Sequence, residues 1–375
     1  MVHTFSLIQS LNFSNLQDIF TSLHFNEAEI NRLLGDERFQ TVHRNLNSHN
    51  PENGVKDFFV LRRDDNVSAS PSYFAIIEIE PLVMIFSDLS VTLFLASPFN
   101  IRRLQERFHD VMSLYFTDEN LTTLASWDCR RIDYTVNFTF DNLRDKLLFL
   151  EMTRKTSRYV RKHRKRIPEL KLNEQSTAEG NSSVKIIFYD KQKQIAETYN
   201  HISPQELEFL LIDSANIIRF EVQCKKGRIL SLQRKYKLSN RSIINFLNED
   251  IARDVLLDEY RKSVGECDFY SFYWAKKIID ASNFTANKKS RLINVLQLIA
   301  QARHVDIAKE QFIEGTRIKR TNIIVKGCEY TFRNYLRDLT NLGINPMLIP
   351  KERKVTHLIN PVQQISELFT LYYSL

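Results

Sequence analysis

The sequence predicts an α+β protein, in which an antiparallel sheet carries ionisable residues on one face and a helical region follows it. Three observations predict this. Segments 131–138, 185–191 and 219–224 alternate in character with the period of two expected of strands. Residues 141 to about 166 have the periodicity of one long helix, stopped near Pro168. Beyond about residue 228 the strand signal gives way to helical periodicity at 239–260, 270–279, 288–303 and 329–341, the last stopped by Gly343 and Pro346. The expected division is therefore a mixed α/β part at 1–228 and a mainly helical C-terminal region at 229–375.

The remaining elements are read in chain order. The first ~50 residues read as helix and polar loop by the spacing of their apolar residues, with helical pieces at 15–20 and 26–34 and Ser14 as N-cap of the first. Strands are expected at 58–62, 73–80 and 91–96, and a helix at 100–116 through Ile101, Leu104, Phe108, Val111, Met112 and Tyr115. Between the strands at 184–191 and 217–225, a helix is expected at 204–213. The apolar stretch 74–97 is interrupted by Glu78, Glu80, Pro81 and Asp88, so it reads as core strands; a membrane span needs ~20 mostly apolar residues.

Composition bounds the function. The chain has 375 residues, 43% of them hydrophobic and 26% charged, which is ordinary for a globular protein with a true core. A net charge of +7 favours phosphate-bearing or otherwise acidic partners. Cys129, Cys224, Cys267 and Cys328 contain no C-x-x-C pair, which argues for reduced thiols rather than a zinc site or a disulfide framework. The N-terminus has no basic stretch ahead of an apolar one, so the expected compartment is the cytoplasm, without a membrane partner. Only 8 glycines are present, with no G-x-x-x-x-G-K and no G-x-G-x-x-G. Phosphate-cradling loops need such glycines, which argues against an ATPase, a kinase or a nicotinamide enzyme but leaves phosphodiester chemistry open.

The three alternating strands carry the chemistry. On 131–138 one face shows Arg131, Asp133, Thr135 and Asn137, and the other Ile132, Tyr134, Val136 and Phe138. On 219–224 the polar face shows Arg219, Glu221 and Gln223. On 185–191 it shows Lys185, Ile187, Tyr189 and Lys191. Acidic residues are disfavoured inside strands, yet Asp133 and Glu221 sit mid-strand, each two positions after an arginine. Two such carboxylates can hold Mg²⁺ or Mn²⁺, hard cations that prefer oxygen. A phenol with a free pKa of ~10 is a poor nucleophile until a cation such as Lys191 or a metal favours its phenolate. Glu78 and Glu80 read as an exposed edge-strand pair, with supply of a third ligand as the alternative.

The segments RIDYTVNF, VKIIFYDKQ and IIRFEVQCK, in that order, resemble the R-x-D, Y-D-K and R-F-E strands of plasmid replication initiators and filamentous-phage nicking proteins. FRNYLRDLTNLGINP at 332–346 resembles their C-terminal part. The likeness spans roughly residues 125–350. It implies rolling-circle initiation: one strand of origin DNA is nicked, a tyrosine joins the 5′ phosphate, and the free 3′ hydroxyl primes synthesis. Asp133 and Glu221 would be the metal ligands, Tyr189 the nucleophile, and Lys191 and Arg219 phosphate contacts or orienters of the carboxylates. Host helicase and polymerase would be further partners. The His-hydrophobic-His strand of many nickases is absent, which fits a carboxylate-using branch.

The densest charge run is at 154–166, where Arg154, Arg158, Arg161, Lys162 and Lys165 would form one helical stripe able to neutralise a DNA backbone. A solvated helix end is the alternative for the stripe. Two rivals to nicking remain: a non-catalytic DNA-binding replication protein, and an interaction protein whose basic face takes an acidic partner.

Overall fold

The computed structural model describes residues 1–35, 39–45, 53–63, 71–86, 91–118, 120–156, 165–166, 176–199, 202–319 and 321–370. Among the described residues the protein is mixed α/β, 51% helical and 24% strand, with nine strands in its main sheet. The chain forms two compact units. One comprises Met1–Val136, Ser182–Lys185 and Glu221–Val255, and the other Asn137–Asn181, Ile186–Phe220 and Leu256–Leu375. This interleaving differs from the single cut expected near residue 228. Three of the strands have residues in both units, so the chain crosses between them mid-strand.

The first unit opens with strand β1 (Val2–Leu11), then helices α1 (Phe13–Ser22) and α2 (Glu27–Leu34). Strands β2 (Phe39–Asn45), β3 (Val55–Arg63) and β4 (Ser72–Ile79) follow, then α3 (Pro81–Phe86), α4 (Pro98–Met112) and β5 (Asp128–Thr139). The strand order is β2-β3-β4-β1-β5. The expectation of helix and loop for the first residues is thus wrong for β1, which is an interior strand. Phe5 and Leu7 of β1 are fully buried, as are Thr4 and Ser6 on its other face. The polar–apolar alternation is confined to Thr4–Leu7 and is broken on either side by the pairs His3/Thr4, Leu7/Ile8 and Gln9/Ser10, too short a run to mark a ten-residue strand. The strand expected at 91–96 reduces to one bridge between Val2 and Phe94.

Local signals do set the helix starts. Asn12 caps α1 and Asn26 caps α2, each through a reciprocal bond with the residue three positions on. The N-cap of α1 is Asn12, not Ser14. Ser97 caps α4 with Pro98 in its first turn.

The second unit contains α5 (Leu143–Thr156), β6 (Lys165–Arg166), β7 (Ser176–Gly180), most of β8 (Val184–Asp190), α6 (Lys191–Thr198), α7 (Pro204–Asp213) and the start of β9 (Ile217–Cys224). Its strand order is β5-β9-β8-β7-β6. The first unit then resumes with the rest of β9, α8 (Lys226–Lys235), α9 (Ile243–Phe246) and the start of α10 (Glu249–Ser263). Helices α11 (Phe272–Ala281), α12 (Ala286–Ala302), α13 (Val305–Glu314), α14 (Glu329–Asn341) and α15 (Val362–Thr370) complete the second unit.

The apolar faces of β5, β8 and β9 meet in one aromatic core in the second unit. Phe220 stacks on Phe188 at 4.6 Å and on Phe138 at 6.0 Å, and Tyr260 of α10 meets Phe138 edge-on at 5.4 Å. Such pairs add about 0.5–1.5 kcal/mol each beyond the area they bury. A second cluster, Ala275, Ile279, Leu292, Leu296 and Leu339, binds α11, α12 and α14 together. In the first unit Tyr134 is wholly buried and its hydroxyl donates to the Phe246 carbonyl at 2.8 Å, tying β5 to α9.

Candidate active site

The sheet register builds the site in the first unit. Ser6 of β1 lies opposite Glu78 on β4 and opposite Arg131 on β5, and Thr4 lies opposite Asp133. Serine is short, so a long side chain can reach across it. The Arg131 guanidinium does so, donating from Nη1 and Nη2 to the two Glu78 carboxylate oxygens at 3.2 and 2.9 Å. Its Nε donates to Asp133 Oδ1 at 3.1 Å. Two-pronged recognition of a carboxylate by arginine fixes geometry as well as charge.

Glu221 completes the cluster. It is buried, its Oε1 accepts from Gln223 Nε2 at 2.8 Å, and its charge bears directly on Asp133. Asp133 is 1% exposed. Burial pushes its carboxyl well above the usual range; Arg131 opposes this, and Glu221 and Glu78 add to it. The same carboxylates, Asp133 foremost, hold the Arg131 guanidinium charged against the cost of its burial. Lys185 on β8 is half-buried and lies within the field of Glu221 and Asp133. Its ammonium is pulled below the normal lysine range, first by burial and then by Lys225 and Arg131. Three carboxylates therefore share one bonded guanidinium and one nearby ammonium.

The reading of Glu78 as half of an exposed edge-strand pair is corrected. β4 lies between β3 and β1, and the Glu78 side chain is only 16% exposed and ion-paired. Glu80 falls one residue beyond the strand, 3.7 Å from Lys56. The meeting of Glu78 with Arg131 follows from β1, the strand that periodicity missed.

The other expected site residues belong to the second unit. Tyr189 is half-buried on β8, with the same strand parity as Lys185. The strand ends at Asp190, which caps α6 by accepting from the Lys193 amide at 3.3 Å. Lys191 is thus the first helical residue and not a strand neighbour of Tyr189. It is buried, and its Nζ donates to Gln194 Oε1 at 2.7 Å. Arg219 is buried on β9 and donates from Nε to Asn137 Oδ1 at 2.9 Å.

Only the two ends of the expected helical stripe lie within the described residues. α5 ends at Thr156, and Lys165 with Arg166 pairs with β7 as strand. Arg154 lies in the last turn of α5 and is half-buried. Arg158, Arg161 and Lys162 lie outside the described residues, as does the Lys165 side chain.

Among the described residues no group of three or more His, Cys, Asp or Glu side chains is arranged to hold a metal ion. Arg131 accounts for this in part, since it takes up both oxygens of Glu78. Asp133 and Glu221 remain as two buried carboxylates of the cluster. Mg²⁺ characteristically takes one or two protein carboxylates and completes its shell with water and substrate phosphate. All four cysteines are free. No protein-family model, curated protein or solved structure matches the chain.

Proposed function

We propose that the protein is a rolling-circle replication initiator that nicks and rejoins one strand of origin DNA. The observation that carries this reading is the buried pair Asp133 and Glu221, close enough for one carboxylate to raise the other's pKa. Burying like charges together is costly unless a cation shares the site. Asp133 and Glu221 would hold Mg²⁺ or Mn²⁺, which supplies Lewis-acid polarisation of a phosphoryl oxygen when bound. Arg131 holds Asp133 in place and neutralises Glu78.

The nucleophile, Tyr189, enters through the likeness of the 184–192 segment to the Y-D-K strand. Its phenolic oxygen attacks phosphorus, a Tyr–O–P bond to the 5′ phosphate forms and the P–O3′ bond breaks. The phenolic proton is lost to solvent, and the 3′ oxygen leaves as a hydroxyl after taking up a proton. Rejoining is the reverse, so the bond energy is conserved and no nucleotide triphosphate is needed. Lys191 and Arg219 contact phosphate in this scheme.

One observation favours a second reading. Arg131 already satisfies two of the three carboxylates, which suits a DNA-binding protein that has kept the fold without the cleavage. Supercoiled origin DNA incubated with Mn²⁺ decides between them. The nicking reading expects relaxed circles with protein on the 5′ end, an adduct lost in Tyr189→Phe with DNA binding retained, and nicking lost in Asp133→Asn. No nicking with any divalent metal leaves the binding reading.

A further inference from the structure

A groove confined to the second unit has a chemistry distinct from the carboxylate cluster. It consists of two adjoining cavities of about 430 and 680 Å³ that share Glu151 and Val355 as lining residues. Arg144 and Arg154 of α5, together with Arg353, line the smaller cavity. Arg303, Lys351 and Lys354 line the larger. Glu151 and Glu352 are the only described carboxylates in either lining, and Arg353 bonds Glu151 from Nε at 2.8 Å. The groove is therefore strongly cationic.

Its larger cavity is also apolar and aromatic. Phe272, Met347, Leu348 and Ile349 line it, and Tyr273 stands beside them with 61% of its surface exposed. The Tyr273 ring meets Trp274 edge-on at 5.9 Å, and Lys277 Nζ lies 4.6 Å from each ring centre. The N-terminus of α11 borders the same cavity through Ser271 and Phe272, so its dipole adds to the positive field.

Backbone conformation points to the same residues. Four described non-glycine residues adopt the left-handed region, and two of them, Arg303 at φ 56° and Lys354 at φ 53°, line the larger cavity. That conformation costs an L-residue about 1–2 kcal/mol, and glycine is the usual occupant after a helix end such as that of α12. Cationic side chains stand where stability alone favours glycine.

We infer that this groove binds single-stranded DNA, with a base inserted against Tyr273 in the larger cavity and flanking phosphates on Arg303, Lys354 and the arginines of the smaller one. Aromatic rings that stack bases beside a cationic track are the common chemistry of single-strand binding. A duplex keeps its bases stacked inside, so only an unpaired base enters the cavity. The inference deepens the proposed nicking function by assigning the surface that holds the displaced strand, but its test needs no cleavage.

The full chain is titrated against fluorescein-labelled oligothymidylate and followed by anisotropy at several salt concentrations. Tyr273→Ala weakens binding about tenfold or more, and Tyr273→Phe retains it. The double variant Arg303→Gly, Lys354→Gly also weakens binding and lowers the log–log salt slope by roughly 0.7 per lost phosphate contact. Its thermal midpoint is unchanged or raised, because glycine relieves the left-handed backbone, so lost affinity is not lost folding. Unchanged affinity and slope in both variants overturn the inference, as does tighter binding of an RNA of the same sequence or of a duplex. Loss of binding in these variants in a protein that nicks nothing supports the groove and removes the nicking proposal; intact nicking with unaltered oligonucleotide binding does the opposite.

Discussion

Two buried charge sites, one in each unit, are built on opposite principles. In the second unit Lys146 is fully buried, and its Nζ donates to Asp190 Oδ1 at 2.8 Å and to the Ala215 carbonyl at 2.6 Å. One cation meets one anion, and Asp190 serves further as a helix cap. In the first unit Arg131 bonds Asp133 and Glu78 but not Glu221, and the Asp133 carboxyl is raised first by burial and then by the neighbouring Glu221 and Glu78. A balanced pair holds elements together. An unbalanced cluster stores unfavourable energy that an added cation relieves, and perturbed groups of that kind concentrate at functional sites.

Mutation of each site breaks or sharpens this contrast. The largest effect is expected for Lys146→Met, which strands Asp190 in the core. It costs about 3–5 kcal/mol, read as a lower urea midpoint. Asp133→Asn changes stability by less than about 1 kcal/mol at neutral pH, because it removes a repulsive charge while Arg131 keeps Glu78. A loss as large as that of Lys146→Met would make Asp133 a structural residue and end the distinction.

The pH dependence is more specific. The Asp133 carboxyl is raised in the folded state, so the folded protein binds the extra proton. Stability is therefore expected to fall as pH rises from the ordinary aspartate range, near 4, up through the raised value. Asp133→Asn flattens that decline. Added Mn²⁺ stabilises the wild type more at higher pH, where the carboxylate is ionised, and leaves the variant unchanged. The smallest effect is expected at the α4 surface, where Arg102 and Glu106 form a pair 81% and 59% exposed. Arg102→Ala there changes the unfolding free energy, read from urea titration, by less than about 0.5 kcal/mol, which sets the scale for an ion pair in water.

Legibility in the sequence followed the range of the interactions. The spacing predicts α14 to the residue, and α12 nearly so, because their apolar stripes recur every turn and α14 is followed by a stop at Gly343 with φ 72°. β5 and β9 are legible because one face of each is apolar and packs on the aromatic core. β1 was not, since its alternation holds only over Thr4–Leu7 and is broken on both sides. Missing β1 hid the partnership of Glu78 with Arg131, which exists only because both lie across from Ser6.

Residue pattern alone determined that Asp133, Glu221, Arg219 and Tyr189 share polar strand faces, that helices dominate the C-terminal half, and that the chain carries excess positive charge. These are local properties, encoded in steps of two or three to four residues. Only the tertiary structure decided which carboxylates meet and which cation answers them. It also made Lys191 a helix residue rather than a strand neighbour of Tyr189, and drew Arg154, Arg303 and Lys354 from three distant segments to one groove. Strand order and register set those meetings through contacts many residues apart, on which no short period in the sequence reports.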